Sequence, residues 1–163
     1  MTFRNWMIGG CAVAGAVAAA APVCAQPAQA PSVAWQFTSL ETADLGRAES
    51  FYVGALGLKR VLQLTPPGGP VTKVAYNASG DPRSAEPLLI LIHHSAPTPA
   101  QNRSSGAKVG FRVPDARQAM ARIRAAGFTV VAEAQDKPGA AMVQGVARDP
   151  DGVIVEIVEM KAP

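Results

Sequence analysis

The chain has 163 residues, 48% of them apolar and 17% charged, with a formal net charge of +3. That apolar content suffices for one domain with a buried core and argues against a disordered chain. The 15 Lys and Arg residues form no run and no stripe interleaved with aromatics, which excludes a dedicated nucleic-acid surface.

The N-terminal residues differ in kind from the rest. Arg4 precedes a small-residue apolar run, and Val23 and Ala25 stand where signal peptidase prefers its residues. Residues 1–25 read as a secretory signal peptide, which predicts a periplasmic or secreted protein with no membrane contact after cleavage. A membrane anchor is disfavoured because the run from Trp6 to Ala21 is short and Ala/Gly-rich. A lipoprotein signal at Cys11 is disfavoured because that cysteine lies inside the run. Cleavage removes Cys11 and Cys24, leaving no thiol nucleophile, thiolate metal site or disulfide. Residues 26–32, "QPAQAPS", read as a disordered spacer, and 33–161 as the folded domain.

The strand-like "AWQFTSL" comes first, then a helix opened by Asp44 as N-cap and closed by Gly57, with Leu45, Ala48, Tyr52 and Ala55 as its apolar stripe. Phe51 and Tyr52 are expected to pack in the core. Three strands follow, "KRVLQLT", "TKVAYN" and "LLILIHH", separated by turn residues. A Pro/Ser-rich connector, "SAPTPAQNRSSG", leads to a second unit of the same order. Its strand "AKVGFRV" precedes a helix capped by Asp115 and ended by Gly127, with Ala116, Ala119, Met120 and Ile123 buried and Gln118 completing a variant capping box. "FTVVAEA", "AMVQGVAR" and "GVIVEIVE" complete it. The chain is thus internally duplicated. The predicted class is α+β, with paired βαβββ modules over 33–95 and 107–161 forming a cupped mixed sheet with helices on its outer face.

Strand alternation then selects the side chains that share a groove. In the last strand Val153, Val155 and Ile157 share one face, and Ile154, Glu156 and Val158 the other. An ionised Glu156 inside an apolar strand needs a cation, a metal or a raised pKa. In the fourth strand Leu89, Leu91 and His93 are expected to face the groove, and His94 the helices or solvent. The two histidines read equally well as the exposed end of a strand. Lys108, Gly110 and Arg112 project opposite Val109, Phe111 and Val113, giving Glu156 cationic candidates, although a solvated strand face accounts for them too.

"DLGRAESFYVGALGLKRV" followed by "ARDPDGVIVEIVE" resembles the vicinal oxygen chelate superfamily, which includes glyoxalase I, bleomycin resistance proteins and extradiol dioxygenases. The resemblance spans Trp35 to Met160. It implies paired βαβββ modules, a cup often completed across a homodimer, and a divalent metal held by side chains from the first and last strands of each module. Those positions fall on Phe37, Leu91, Lys108 and Glu156, of which only Glu156 is of a ligand type. A shifted site with His93 and Glu156 would still supply only two protein ligands. The expectation is therefore no cofactor, with a divalent metal as the alternative. Lys108 is expected to stand in the ion's place and neutralise Glu156.

Three classes of function stay open. One is a binding protein whose cup, lined by Phe37, Leu91, His93, Lys108, Arg112 and Glu156, takes a small, mostly apolar molecule. Another is an enzyme, either metal-dependent with atypical ligands or metal-free with Glu156 as general base and His93 as proton carrier. The third is a structural or interaction module with no small ligand.

Overall fold

The computed structural model describes residues 34–65, 68–96, 108–136 and 138–162. The stretches read as signal peptide (1–25) and spacer (26–32), and most of the inter-module connector, lie outside the described residues. The first module runs β1 (Phe37–Thr42), α1 (Leu45–Glu49, continuing as a π-helical stretch over Ser50–Ala55), β2 (Lys59–Gln63), β3 (Val71–Asn77) and β4 (Leu88–His94). The second runs β5 (Lys108–Arg112), α2 (Ala116–Ala125), β6 (Thr129–Asp136), β7 (Met142–Arg148) and β8 (Ile154–Met160). Each is βαβββ, as the duplication predicts.

The sheet orders are β1-β4-β3-β2 and β5-β8-β7-β6. In each, the first and last strands of the module pair in parallel, which the intervening helix makes possible, and the remaining pairs are antiparallel. Among the described residues β1 and β5 are therefore sheet edges, as β2 and β6 are at the opposite ends.

Both helices start as read. Asp44 Oδ1 accepts from the Arg47 amide at 3.0 Å, and Asp115 Oδ1 from the Gln118 amide at 2.8 Å. Gly57 and Gly127 follow the helices with φ of 85° and 80°, the left-handed conformation that favours glycine. The capping box is not completed: the Gln118 side chain accepts from Arg122 at 2.7 Å, on the same helix face, instead of reaching back to the cap. In the first helix Leu56 donates to the Phe51 carbonyl, widening the turn. That widening lets the adjacent Phe51 and Tyr52 both lie fully buried.

The inner faces of both sheets and both helices share one core. It joins Leu40, Val74, Tyr76, Leu89 and Leu91 to Val143, Ala147, Val155 and Ile157, with Phe51, Tyr52, Met120 and Ile123 between. Edge-to-face pairs link Phe51 to Tyr52 and to Phe128 at centroid distances of 5.0 and 5.1 Å. Gly145 on β7 allows close approach of α2, since a Cβ there would lie 2.8 Å from Met120 Cγ.

A polar clamp crosses the module boundary. The "DPDG" turn before β8 places Asp149 so that its Oδ1 accepts from the amides of Asp151 and Val153, while its Oδ2 accepts from the Tyr52 hydroxyl at 2.8 Å. Asp151 Oδ1 in turn accepts from the Ala43 amide ahead of α1. Burial raises the Tyr52 pKa, with the Asp149 charge adding to it, so the phenol stays a donor. Burial also raises Asp149 above the ordinary carboxyl range, against the opposing effect of its hydrogen bonds from Tyr52, Val153 and Asp151.

Removing the phenol leaves a buried carboxylate oxygen without its donor, so Tyr52→Phe should cost about 1.5–3 kcal/mol in urea unfolding. The folded chain holds the Asp149 proton to higher pH than the unfolded chain does. That contribution to stability is complete below the unfolded value of about 3.9 and is lost as pH rises through the folded value. Relative to Asp149→Asn, the native protein should gain stability as pH falls from 7 into the acid range.

Candidate functional site

The pairing registers show which side chains leave the core. On β4, Leu89 and Leu91 are buried with Leu40, so Leu88, Ile90, Ile92 and His94 share the outer face with Phe37, Ser39 and Glu41 of β1. Leu91, expected in the groove, is fully buried against the helix layer. His93 lies on that same inner face, its Nδ1 3.2 Å from the Thr42 carbonyl oxygen. The face assignment of β4 is thus corrected. An unbroken run of Leu and Ile satisfies a buried inner face and a partly covered outer face equally well, so period-two patterning could not orient it.

The second module fixes the equivalent positions. Phe37 lies seven residues before the cap Asp44, and Lys108 seven before the cap Asp115. Phe37 pairs with Leu88 as Lys108 pairs with Ile154. The first-module counterpart of Glu156 is therefore Ile90, two residues beyond Leu88 as Glu156 is two beyond Ile154, and not Leu91.

On the second sheet the outer face carries Lys108, Gly110 and Arg112 from β5, Ile154, Glu156 and Val158 from β8, and Gln144 and Val146 from β7. Lys108 Nζ stands 3.5 Å from Glu156 Oε1, with the lysine side chain 67% and the glutamate 31% exposed. The carboxylate has its cation, but it is not held in a closed apolar hollow within one chain. Arg112 is exposed four residues further along the same face of β5.

A second acidic group, missed in the sequence, sits on the outer face of the first sheet. Glu41 Oε1 lies 3.7 Å from His94 Nε2. Its other oxygen is buried and has no hydrogen-bond partner among the described residues. The parity of β1 held the signal: Glu41 is four residues from Phe37, hence on the same face.

A cleft of about 640 Å³ lies elsewhere, at the seam between the modules. Tyr76, Leu89, Val109 and Phe111 line it from the inner side, with Arg112 at its rim. Neither Glu156 nor Phe37 borders it. On the outer faces Phe37 and Lys108 are exposed while Ile90 is buried at 8% exposure, and enclosing a ligand over the exposed positions requires a second covering surface.

The donor set does not fit a divalent metal. Phe37 and Ile90 offer no donor atom, the Lys108 ammonium repels a cation, and Glu156 is left as one ligand where three or more are usual. No group of three or more His, Cys, Asp or Glu side chains suited to a metal occurs among the described residues.

Paired βαβββ modules with one residue from each first and last strand turned toward a common outer face define a two-module cup protein. The chain belongs to the Glyoxalase/Bleomycin resistance protein/Dioxygenase superfamily, whose family model matches residues 36–157. It is 27% identical over 124 residues to lactoylglutathione lyase of Salmonella typhimurium, covering 76% of this chain and 90% of that protein. Among solved structures it resembles glyoxalase I of Leishmania major, with TM-score 0.62, 22% identity, and 78% and 87% of the two chains covered. TnmS3, an antibiotic binding protein from a Streptomyces species, aligns with TM-score 0.59 and 20% identity over 80% of this chain and 98% of that one. At such identities these two structures speak for the fold alone.

An ion pair as exposed as Lys108 with Glu156 is worth little. Lys108→Met should change unfolding free energy by less than about 1 kcal/mol, measured in urea at neutral pH.

Proposed function

We propose that the protein is a metal-independent binder of a small, mostly apolar molecule. The binding surface is the outer faces of the two sheets, closed into a cup in a homodimer. One observation carries the reading: of the four positions facing the cup, Phe37 and Ile90 are hydrocarbon and the other two, Lys108 and Glu156, pair with each other 3.5 Å apart. An ammonium beside a carboxylate leaves one compact polar spot in a largely apolar surface, which suits orientation of a ligand by one or two polar groups. Phe37, half exposed, offers an aromatic face, and Arg112 a second cation. TnmS3 is an antibiotic binding protein on this fold, which supports a binding role.

The dimer reading is supported by the free edges of β1 and β5 and by Trp35 and Phe37, exposed at and just ahead of the first edge. Natural edges of this kind are usually covered. Site of action is taken as outside the cytoplasm, on the strength of the N-terminal leader pattern.

The likeness to lactoylglutathione lyase favours a second reading, an enzyme with Glu156 as base. In that case His94, not His93, is the histidine on an outer face.

Protein purified without chelators should carry no stoichiometric iron, zinc, nickel or manganese by mass spectrometry of the metal content, and show no lactoylglutathione lyase activity when those ions are added. Retained metal at one per chain, or metal-restored turnover, sinks the binder reading. Intact mass of the exported protein should correspond to a chain starting at Gln26, and light scattering to twice that mass.

A further inference from the structure

The outer face of the first sheet ends in an acid and base pair that the four cup positions do not include. Its floor is apolar: Leu88, Ile90 and Ile92 run along β4, with Phe37 beside Leu88 and Ala75 beside Ile90. At the far end Glu41 pairs in register with Ile92, and His94 lies one outward residue further on. The Glu41–His94 separation of 3.7 Å is too long for a hydrogen bond. One carboxylate oxygen is buried without a partner among the described residues, although the side chain as a whole is 27% exposed. A buried carboxylate oxygen without a donor is costly.

We propose that Glu41 and His94 form a second polar subsite, which takes an ammonium or other N–H donor carried by an otherwise apolar ligand. The inference rests on the small-molecule reading of the cup and adds the ligand's charge. Among the described residues another charge on this face is Lys73, across Ile92 on β3 and two strands from Glu41. It is not within ion-pair distance of the carboxylate, so Glu41 retains its capacity for a ligand cation. An anionic group there would meet the carboxylate instead. On the second sheet the polarity is reversed, since Arg112 supplies a cation beside the Lys108–Glu156 pair. The two sheets therefore offer unlike ends, and a ligand with an amine at one end and an acceptor at the other satisfies both.

The two histidines provide a built-in probe and control, because His94 faces outward and His93 inward. The full chain should be titrated with benzylamine, benzyl alcohol and benzoate while the imidazole resonances are followed by NMR. Benzylamine should move the His94 ring signals saturably, leave those of His93 in place, and lower the apparent pKa of His94, since protonated His94 and the ligand cation compete for one carboxylate. Glu41→Gln should weaken benzylamine binding at least tenfold and leave benzyl alcohol unchanged.

Equal binding of all three probes, or benzylamine binding unaffected by Glu41→Gln, overturns the subsite and leaves the apolar cup standing. Absence of binding by every probe overturns both.

Discussion

Side-chain alternation along two parallel strand pairs governs what this protein can present to a ligand. β1 with β4, and β5 with β8, join the first and last strands of each module at one side of its sheet, and the register of each pair decides which residues feed the shared core and which face outward. Leu89, Leu91, Val155 and Ile157 are committed to the core. A slip of one residue in β8 would bury Glu156 and expose Val155 and Ile157, so the hydrophobic burial of the inner residues locks the position of the carboxylate. The site is thus specified by residues that never touch it.

The same core makes the two modules one folding unit. Each sheet with its single helix leaves apolar surface uncovered, and the helices cover it mutually, with Phe51 and Tyr52 reaching Phe128 and Phe111 of the other module. The Tyr52–Asp149 contact adds direction to that packing, because only one placement of the "DPDG" turn satisfies both the phenol and the turn's own amides. The consequence for function is geometric. The inner faces are consumed in joining the modules, and the outer faces remain to meet a ligand or a second copy.

Much of this was legible in the residues. The caps Asp44 and Asp115, the terminators Gly57 and Gly127, and the spacing between the two units give the βαβββ repeat, because capping and left-handed turns are local chemistry. The contact between Lys108 and Glu156 was also readable, since β5 alternates Lys108, Gly110 and Arg112 against Val109 and Phe111, and Glu156 is a lone carboxylate flanked by Val155 and Ile157 in an apolar strand. The orientation of β4 was not. "LLILIHH" is apolar on both faces, and its ambiguity carried Leu91 and His93 to the wrong side. Equivalence with the second module resolves it, through Asp-to-Phe37 and Asp-to-Lys108 spacing and the shared register, but only once the pairing is known. Glu41 was overlooked because its significance depends on His94 lying on the same face.

Replacing metal ligands by an ammonium changes what the cup can do, not only what it can hold. A divalent ion has empty coordination positions and can draw electron density from two neighbouring oxygens at once. A lysine ammonium has three N–H donors and no such vacancy, so it orients an acceptor without polarising it comparably. With Lys108 already engaged by Glu156, its remaining donors point to recognition of one polar atom amid hydrocarbon. Recognition of that kind draws its affinity from apolar burial and its selectivity from the few polar groups that must not be left unpaired. In the proposed reading those groups are Lys108, Glu156 and Arg112 on one sheet and Glu41 with His94 on the other, and their separation along the strands would set the length of ligand that satisfies them together.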